Sequence, residues 1–478
     1  MAQYSNRSMV GLCAVAILWT MNHQDPERDA AIEKANAAVR GAIPVAAADP
    51  ERPAFHYHAP AQWMNDPNGP ILYKGWYHMF YQHNPYGDHW EHMHWGHARS
   101  RDLVHWEDLP VALWPSLSQG ERHVFSGSVF PGPGGKPVAF YTSIGDGREP
   151  EQWIATPEDD DLIKWRKDPV RITQSIHGGK PLAEWRDPFL FNDFGLTYLA
   201  AGGGLDGKGI VALYKATDPD LRHWQYLGPM FTHPDADVHN IECPNLAFVD
   251  GRCVLLVSVH GRIEAFVGEL RNTQFVTEKR SVLADGSYAS QLFQGVNGRT
   301  IHSAWVNTGG HKGWNGFLTL PSELRVRSDG TLLRQPAREL AKLRKEETKV
   351  GDLGVIGQVD LPRVKGQALE MELTLVGDSS SKCGVRFRSG AIEVAYEPAS
   401  RRLSVPGRSV ELSEKAVAKG VKLRLFVDRT TVDVYAADGE GSLIAHRENI
   451  GPVGDDVALF SDGGEAKFRG VRAWRLAP

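Results

Sequence analysis

Hydrophobic residues are distributed in two ways along this chain. Between residues 76 and 259 they come in short runs at 76–82, 138–142, 196–201, 210–216 and 254–259. Each run is rich in aromatic or β-branched residues and is bounded by Gly, Pro, Asp or Asn, which predicts strands joined by tight turns. Beyond residue 350 the pattern becomes alternation at period two, as in ALEMELTLV (368–376), GVRFRS (384–389), AIEVAYE (391–397), KLRLFVDRTTVDVYA (422–436) and VALFSD (457–462). Alternation of this kind predicts antiparallel strands with one buried face, packed as a sandwich. Residues 336–349 read as a charged helix or linker between the two regions.

A repeat underlies the first region. A phrase opening Asp-Leu and ending on Trp occurs at Asp102, Leu103 and Trp106, again at Asp161, Leu162 and Trp165, and again at Asp220, Leu221 and Trp224. The tryptophans are spaced 59 residues apart both times. A strand-filled period of that length suits a four-stranded propeller blade. The stretch from about 60 to 335 holds roughly 4.7 periods, which predicts five blades. The expected organisation is therefore 1–50 as a signal or linker segment, 51–335 as a propeller, 336–349 as a linker helix and 350–478 as a sandwich.

Three acidic motifs share one phase of this repeat. Asp66 stands in WMNDPNGP, Asp187 in EWRDPF and Glu242 in IECPNL. Asp187 follows Trp165 by 22 residues and Glu242 follows Trp224 by 18. Phe125 and Ser126 fall at the same phase. If that phase is the start of the innermost strand, these side chains converge on the central channel. Repeated acids more often cap turns, but acids beside Trp, Phe and Pro at one shared phase are less easily dismissed. Acid chemistry on a polar, uncharged substrate such as a sugar needs little more.

Composition narrows the classes. The 478 residues are 42% hydrophobic and 23% charged, as in globular proteins, and are too many for one ordinary core. A net charge of -5 gives no basic face for nucleic acid. The apolar run Met9–Thr20, preceded by Arg7, is too short to span a bilayer but reads as the core of a signal peptide. Secretion or periplasmic export is the expected localisation, with a cytoplasmic protein as the alternative. Residues 21–50 read as a linker or loose helix. Cys13, Cys243, Cys253 and Cys383 lack zinc-site spacing. Free, mostly buried thiols are expected, with a Cys243–Cys253 bridge as the other reading. His89, His92, His94 and His97 alternate faces on a strand, so no metal site is expected there.

At these motifs the chain resembles glycoside hydrolase family 32, the invertase, levanase and inulinase group. FHYHAPAQWMNDPNGP, FYQHNP, HWGHARSRDLVHW, FSGS, WRDP and ECPN follow in the family's order, and LRLFVDRTTVDVYAADGE resembles its sandwich signature. The resemblance implies an all-β five-bladed propeller followed by a β-sandwich. It also implies cleavage of β-fructofuranosidic bonds in sucrose or fructans, with no cofactor. By resemblance, Asp66 is the nucleophile, Glu242 the acid/base and Asp187 the transition-state stabiliser. Retention would place the two carboxyl groups about 5–5.5 Å apart. Donors such as the Asn65 amide would hold the Asp66 pKa low, while partial burial would raise that of Glu242. Trp63, Asn65, Gln82, Trp90, Phe125, Ser126 and Arg186 match substrate-pocket positions, and Tyr288, Trp305 and Trp314 lie in the presumed fifth blade. Pro321-Ser322 departs from the family's usual Pro-Arg. A fructosyltransferase and a non-catalytic sugar-binding propeller are the competing classes. Substrate preference, exo or endo attack and oligomeric state stay open.

Overall fold

Each Asp-Leu…Trp phrase closes a turn in the same way. The leucines Leu103, Leu162 and Leu221 all take positive φ, at 69°, 57° and 60°. This aims each leucine carbonyl at the indole three residues on. Trp106, Trp165 and Trp224 donate Nε1–H to it at 3.0, 2.7 and 3.0 Å. The indole then packs its ring inward, buried for Trp165 and Trp224 and half-buried for Trp106, while its one polar atom stays satisfied, which explains why Trp recurs here. These turns precede the outermost strands Trp106–Leu113, Trp165–Ile172 and Trp224–Thr232.

The computed structural model describes residues 25–283, 285–377, 379–448 and 454–477. The apolar run Met9–Thr20, expected as a signal core, and Cys13 lie outside the described residues. Five sheets follow one another along the chain as propeller blades, each antiparallel between consecutive strands. Their innermost strands are Gln62–Tyr73 (blade I), His123–Pro131 (II), Ala183–Asp193 (III), Glu242–Val249 (IV) and Tyr288–Leu292 (V). Each packs on the next, and V returns to I. Side chains stitch this ring. Asn68 Oδ1 accepts Gly127 N–H, Ser128 Oγ donates to Pro188 O, and Asn245 Nδ2 donates to Ser290 O. The circle closes where Trp314–Asn315 of blade V pairs in parallel with Gln62–Trp63 of blade I.

Among the described residues, the second region is a ten-stranded sheet folded into a β-sandwich, with nine strands on one continuous hydrogen-bonded path and Arg344–Asp360 pairing beside it with Val457–Leu476. Its longest strand, Val457–Leu476, pairs through its first half with Lys382–Phe387 and through its second with Ala368–Val376. It turns the corner at Gly463 and Gly464, with φ of 72° and 155°, backbone that residues with a Cβ rarely adopt. The apolar face forms a core of Leu369, Met371, Val385, Leu425, Leu459 and their neighbours.

The alternation predicted one buried face, and the structure corrects this. Phe426, Tyr435 and Trp474, on the other face, pack with Phe55, Val104 and Leu320 of the propeller. The predicted 336–349 linker helix is also corrected. One short 3-10 helix forms at Arg338–Leu343, and strand begins at Arg344. Leu340 and Leu343 are drawn into the interdomain core, and Arg344 pairs with Glu370 and Glu372. Within 21–50, a true helix spans Pro26–Ala47, with Asp25 Oδ1 capping Arg28 N–H and Pro26 in the first turn. It lies on blade I's outer strand, where Asn36 Oδ1 accepts Val111 N–H. Cys243, Cys253 and Cys383 are free and buried, so the alternative Cys243–Cys253 bridge is absent.

Candidate active site

Every innermost strand loses register at the same place. The shifts fall between Met64 and Pro67, Val124 and Gly127, Glu242 and Asn245, and Tyr288 and Gln291, and in blade III opposite Arg186–Phe189. A bulge re-aims the side chains within it. The bulged or flanking residues are Asn65 and Asp66, Phe125 and Ser126, Asp187, Glu242 and Cys243, and Tyr288. Asp187 and Cys243 take φ of 61° and 47°, costly for residues with side chains. One backbone irregularity, repeated five times around an axis, thus turns the acids toward each other.

The contacts are close. Asp66 accepts Asn65 Nδ2–H on Oδ1 at 2.9 Å and the Ser126 hydroxyl on Oδ2 at 2.6 Å. Trp63 Nε1–H fixes the Asn65 amide at 2.7 Å. Asp187 accepts the Cys243 amide on Oδ2 at 2.8 Å, and the Cys243 thiol reaches that oxygen at 3.4 Å and Asp66 Oδ2 at 3.8 Å. Glu242 Oε2 accepts the Tyr288 hydroxyl at 2.5 Å, while Arg186 Nη1 lies 3.4 Å from its Oε1. Glu184 holds Arg186 from the solvent side.

Burial governs the charges. It pushes the Asp187 carboxyl up to about 7, with Glu242 and Asp66 adding to the rise and Arg186 opposing it. Burial likewise raises Asp66 despite Ser126 and Asn65, with Glu242 contributing. The expectation that donors hold Asp66 low is thereby corrected: the donors are present, but desolvation outweighs them. Burial and the adjacent Asp187 and Asp66 keep the Cys243 thiol protonated, so it acts as a weak donor. Burial and Glu242 do the same for the Tyr288 hydroxyl.

The remaining candidates separate into two groups. Trp63 packs edge-on to Trp305 at 5.7 Å. Trp90, 48% exposed, stacks on His123 and meets Phe125 edge-on, forming an aromatic wall. Gln82 is buried and donates to Val124 O, bracing blade I against blade II. Trp314 is 1% exposed, donates Nε1–H to Asp49 and stacks on His311. Its expected place on the pocket rim is corrected: the partner Asp49, beyond the N-terminal helix, pulls it into the ring closure. Ser322, the departure from Pro-Arg, is buried against the Tyr435 hydroxyl at 3.1 Å. Residues not singled out in the sequence are Thr142, whose hydroxyl accepts Asp187 N–H, and Glu184. Thr142 ends the VAFYT run, which reads in the sequence only as a strand. His94 Nδ1 meets His92 O, and His97 meets His78. A cavity of about 890 Å³ beside Lys349, Glu372, Arg424 and Tyr435 includes none of the three acids. Its Arg424 and Arg472 are spent on Glu370 and Glu372.

The family model for the Glycosyl hydrolases family 32 N-terminal domain matches residues 56–336, and that for the family's C-terminal domain matches 335–475. A raffinose invertase of Escherichia coli is 30% identical, over 89% of this chain and 95% of its own. A sucrose-6-phosphate hydrolase of Zymomonas mobilis is 29% identical, over 89% and 92%. The structure of a Bombyx mori GH32 beta-fructofuranosidase superposes with a TM-score of 0.80 at 25% identity, covering 94% of this chain and 98% of that one.

Proposed function

The chain belongs to glycosyl hydrolase family 32, and from that premise we propose that Asp66, Glu242 and Asp187 cleave β-fructofuranosidic bonds with retention of configuration. The protein is a glycosidase acting on sucrose or fructans. Asp66, oriented by Asn65 and Ser126, attacks the anomeric carbon of the fructosyl unit. Glu242 protonates the leaving oxygen, and a fructosyl ester of Asp66 forms. Water, deprotonated by the same Glu242, then releases fructose. Asp187 has Oδ2 occupied by Cys243, so Oδ1 is the oxygen offered to fructose hydroxyls, where it stabilises the oxocarbenium-like transition state. Tyr288 and Arg186 hold Glu242 in place through both of its oxygens.

The observation that carries this reading is the shared bulge, which sets three carboxyl side chains from blades I, III and IV in mutual electrostatic contact. The test is a product profile on sucrose, sucrose 6-phosphate, inulin and levan, beside the Glu242→Gln variant. Fructose release, reduced on the order of 10²–10⁴-fold in the variant, supports the assignment. Longer oligosaccharides from concentrated sucrose would identify a transferase. No turnover of any of these substrates by the parent chain contradicts the proposal.

A further inference from the structure

Away from the sugar site, three ligand-type side chains converge where the propeller ring closes against the sandwich. His311 lies just before the closing pair Trp314–Asn315, His446 ends the sandwich strand Gly441–His446, and Glu448 follows it. One ligand atom from each lies within 4.8 Å of the other two. The two imidazoles approach through Nε2, at 3.3 Å. Tetrahedral zinc, with Zn–N bonds of about 2.0–2.1 Å, holds two histidine nitrogens about 3.3–3.4 Å apart. The pair is therefore already spaced for a shared ion.

Proton placement points the same way. Asp49 Oδ2 lies 2.9 Å from His311 Nδ1. An ionised carboxylate only accepts, so the neutral His311 imidazole carries its proton on Nδ1 and its Nε2 presents a lone pair. His446 Nδ1 meets the Thr431 hydroxyl at 2.9 Å. When that hydroxyl accepts, two bare lone pairs face each other and require an electron-poor partner between them. A carboxylate behind one imidazole and a hydroxyl behind the other is the outer shell that orients metal-bound histidines. His233, Asp235 and Glu264 also converge, but there the positive charge is already supplied. Arg280 binds both carboxylates and Arg262 binds Glu264.

We propose that His311, His446 and Glu448 form a zinc site, with water at the fourth position beside the exposed Glu448. The ion would tie the closing strand of the propeller to the sandwich. That strand pairs with Gln62–Trp63, just ahead of Asp66, so zinc would brace the element carrying the proposed nucleophile without entering its chemistry. The test strips the purified full chain with a chelator and titrates it with zinc chloride. Calorimetry and thermal melting are followed for the parent chain, His446→Gln and Glu448→Gln. The expected result is one zinc per chain, a higher melting temperature with zinc, and affinity at least about tenfold weaker in both variants. Glu448 is exposed, so its variant reports on binding even if His446→Gln fails to fold. Absence of saturable binding, as a simple His–His hydrogen bond would give, overturns the proposal. So does equal affinity in the parent chain and Glu448→Gln.

Discussion

Asp187 concentrates the trade between stability and chemistry in one residue. Its carboxyl rises from an ordinary 3.8 to about 7 because burial penalises the charged form and two more acids face it. A raised folded-state pKa means that the fold binds the proton more tightly than the unfolded chain. Its stabilising contribution is complete below about pH 3.8 and is lost as pH rises through about 7. Asp187→Asn removes that loss and can still accept the Cys243 amide. The variant should be more stable than the parent chain at pH 8, by on the order of a few kcal/mol, and equally stable at pH 4. Its hydrolysis should fall at least on the order of 10²-fold, because the proposed acceptor for the fructose hydroxyls is weakened. Thermal melts across pH, paired with rates, check both halves. Tyr288→Phe isolates a second contact. The hydroxyl donates to the Glu242 carboxyl at 2.5 Å, and a hydrogen bond to a charged group is worth about 1.5–3 kcal/mol. The expected loss is about 10–100-fold in kcat/KM, read at a temperature well below melting so that the accompanying drop in melting temperature does not account for it.

The bulged inner strand is the element that makes the site. Its neighbours must come unusually close, and Gly202 shows the tolerance. A Cβ there would lie 2.2 Å from Ile241 O and 3.4 Å from Glu242 Cα. Gly202→Ala should therefore push the head of blade IV aside and destabilise the chain by about 1–3 kcal/mol. It should also lower kcat more than the melting shift accounts for, because Glu242 moves; steady-state rates at a temperature well below melting would show this. Much at this scale was legible in the sequence. Trp106, Trp165 and Trp224 mark the period because each indole needs one carbonyl, and that need is local. The phase of Asp66, Asp187 and Glu242 follows from the same period. Trp314 could not be placed this way, since its partner Asp49 is 265 residues away along the chain. Nor could the charge state of Asp66, which is set by protein packed around it from other blades.

At the scale of the molecule, His56 joins propeller to sandwich. It is fully buried between Asp428 and Asp433, bonding each at 2.8 Å, and Asp428 also accepts the amides of Ala54, Phe55 and His56. Burial alone would lower the imidazole, but the two carboxylates prevail and raise it from 6.5 to about 10, while Asp428 is held below its ordinary value. The imidazolium contribution is complete below about pH 6.5 and lost as pH rises through about 10; that of Asp428 is present above 3.8 and lost on acidification. His56→Gln should cost about 3–5 kcal/mol at neutral pH, since it strands two buried carboxylates. The gap to the parent chain should narrow above pH 10, as melts in alkaline buffer would record. Both acids stand in the VDRTTVDVYA stretch that marks the sandwich in the sequence. Their partner lies more than 370 residues earlier, so the motif was visible while its purpose was not. The second buried face of the sandwich stayed hidden for the same reason: Phe426 and Trp474 read as surface positions until the propeller covers them.

The most direct measurement is peptide mapping by mass spectrometry of the enzyme quenched in acid during sucrose turnover. One hexosyl ester is expected, confined to the peptide that contains Asp66 and absent in Asp66→Ala. An ester on a different side chain, or rapid turnover by Asp66→Ala, would contradict it.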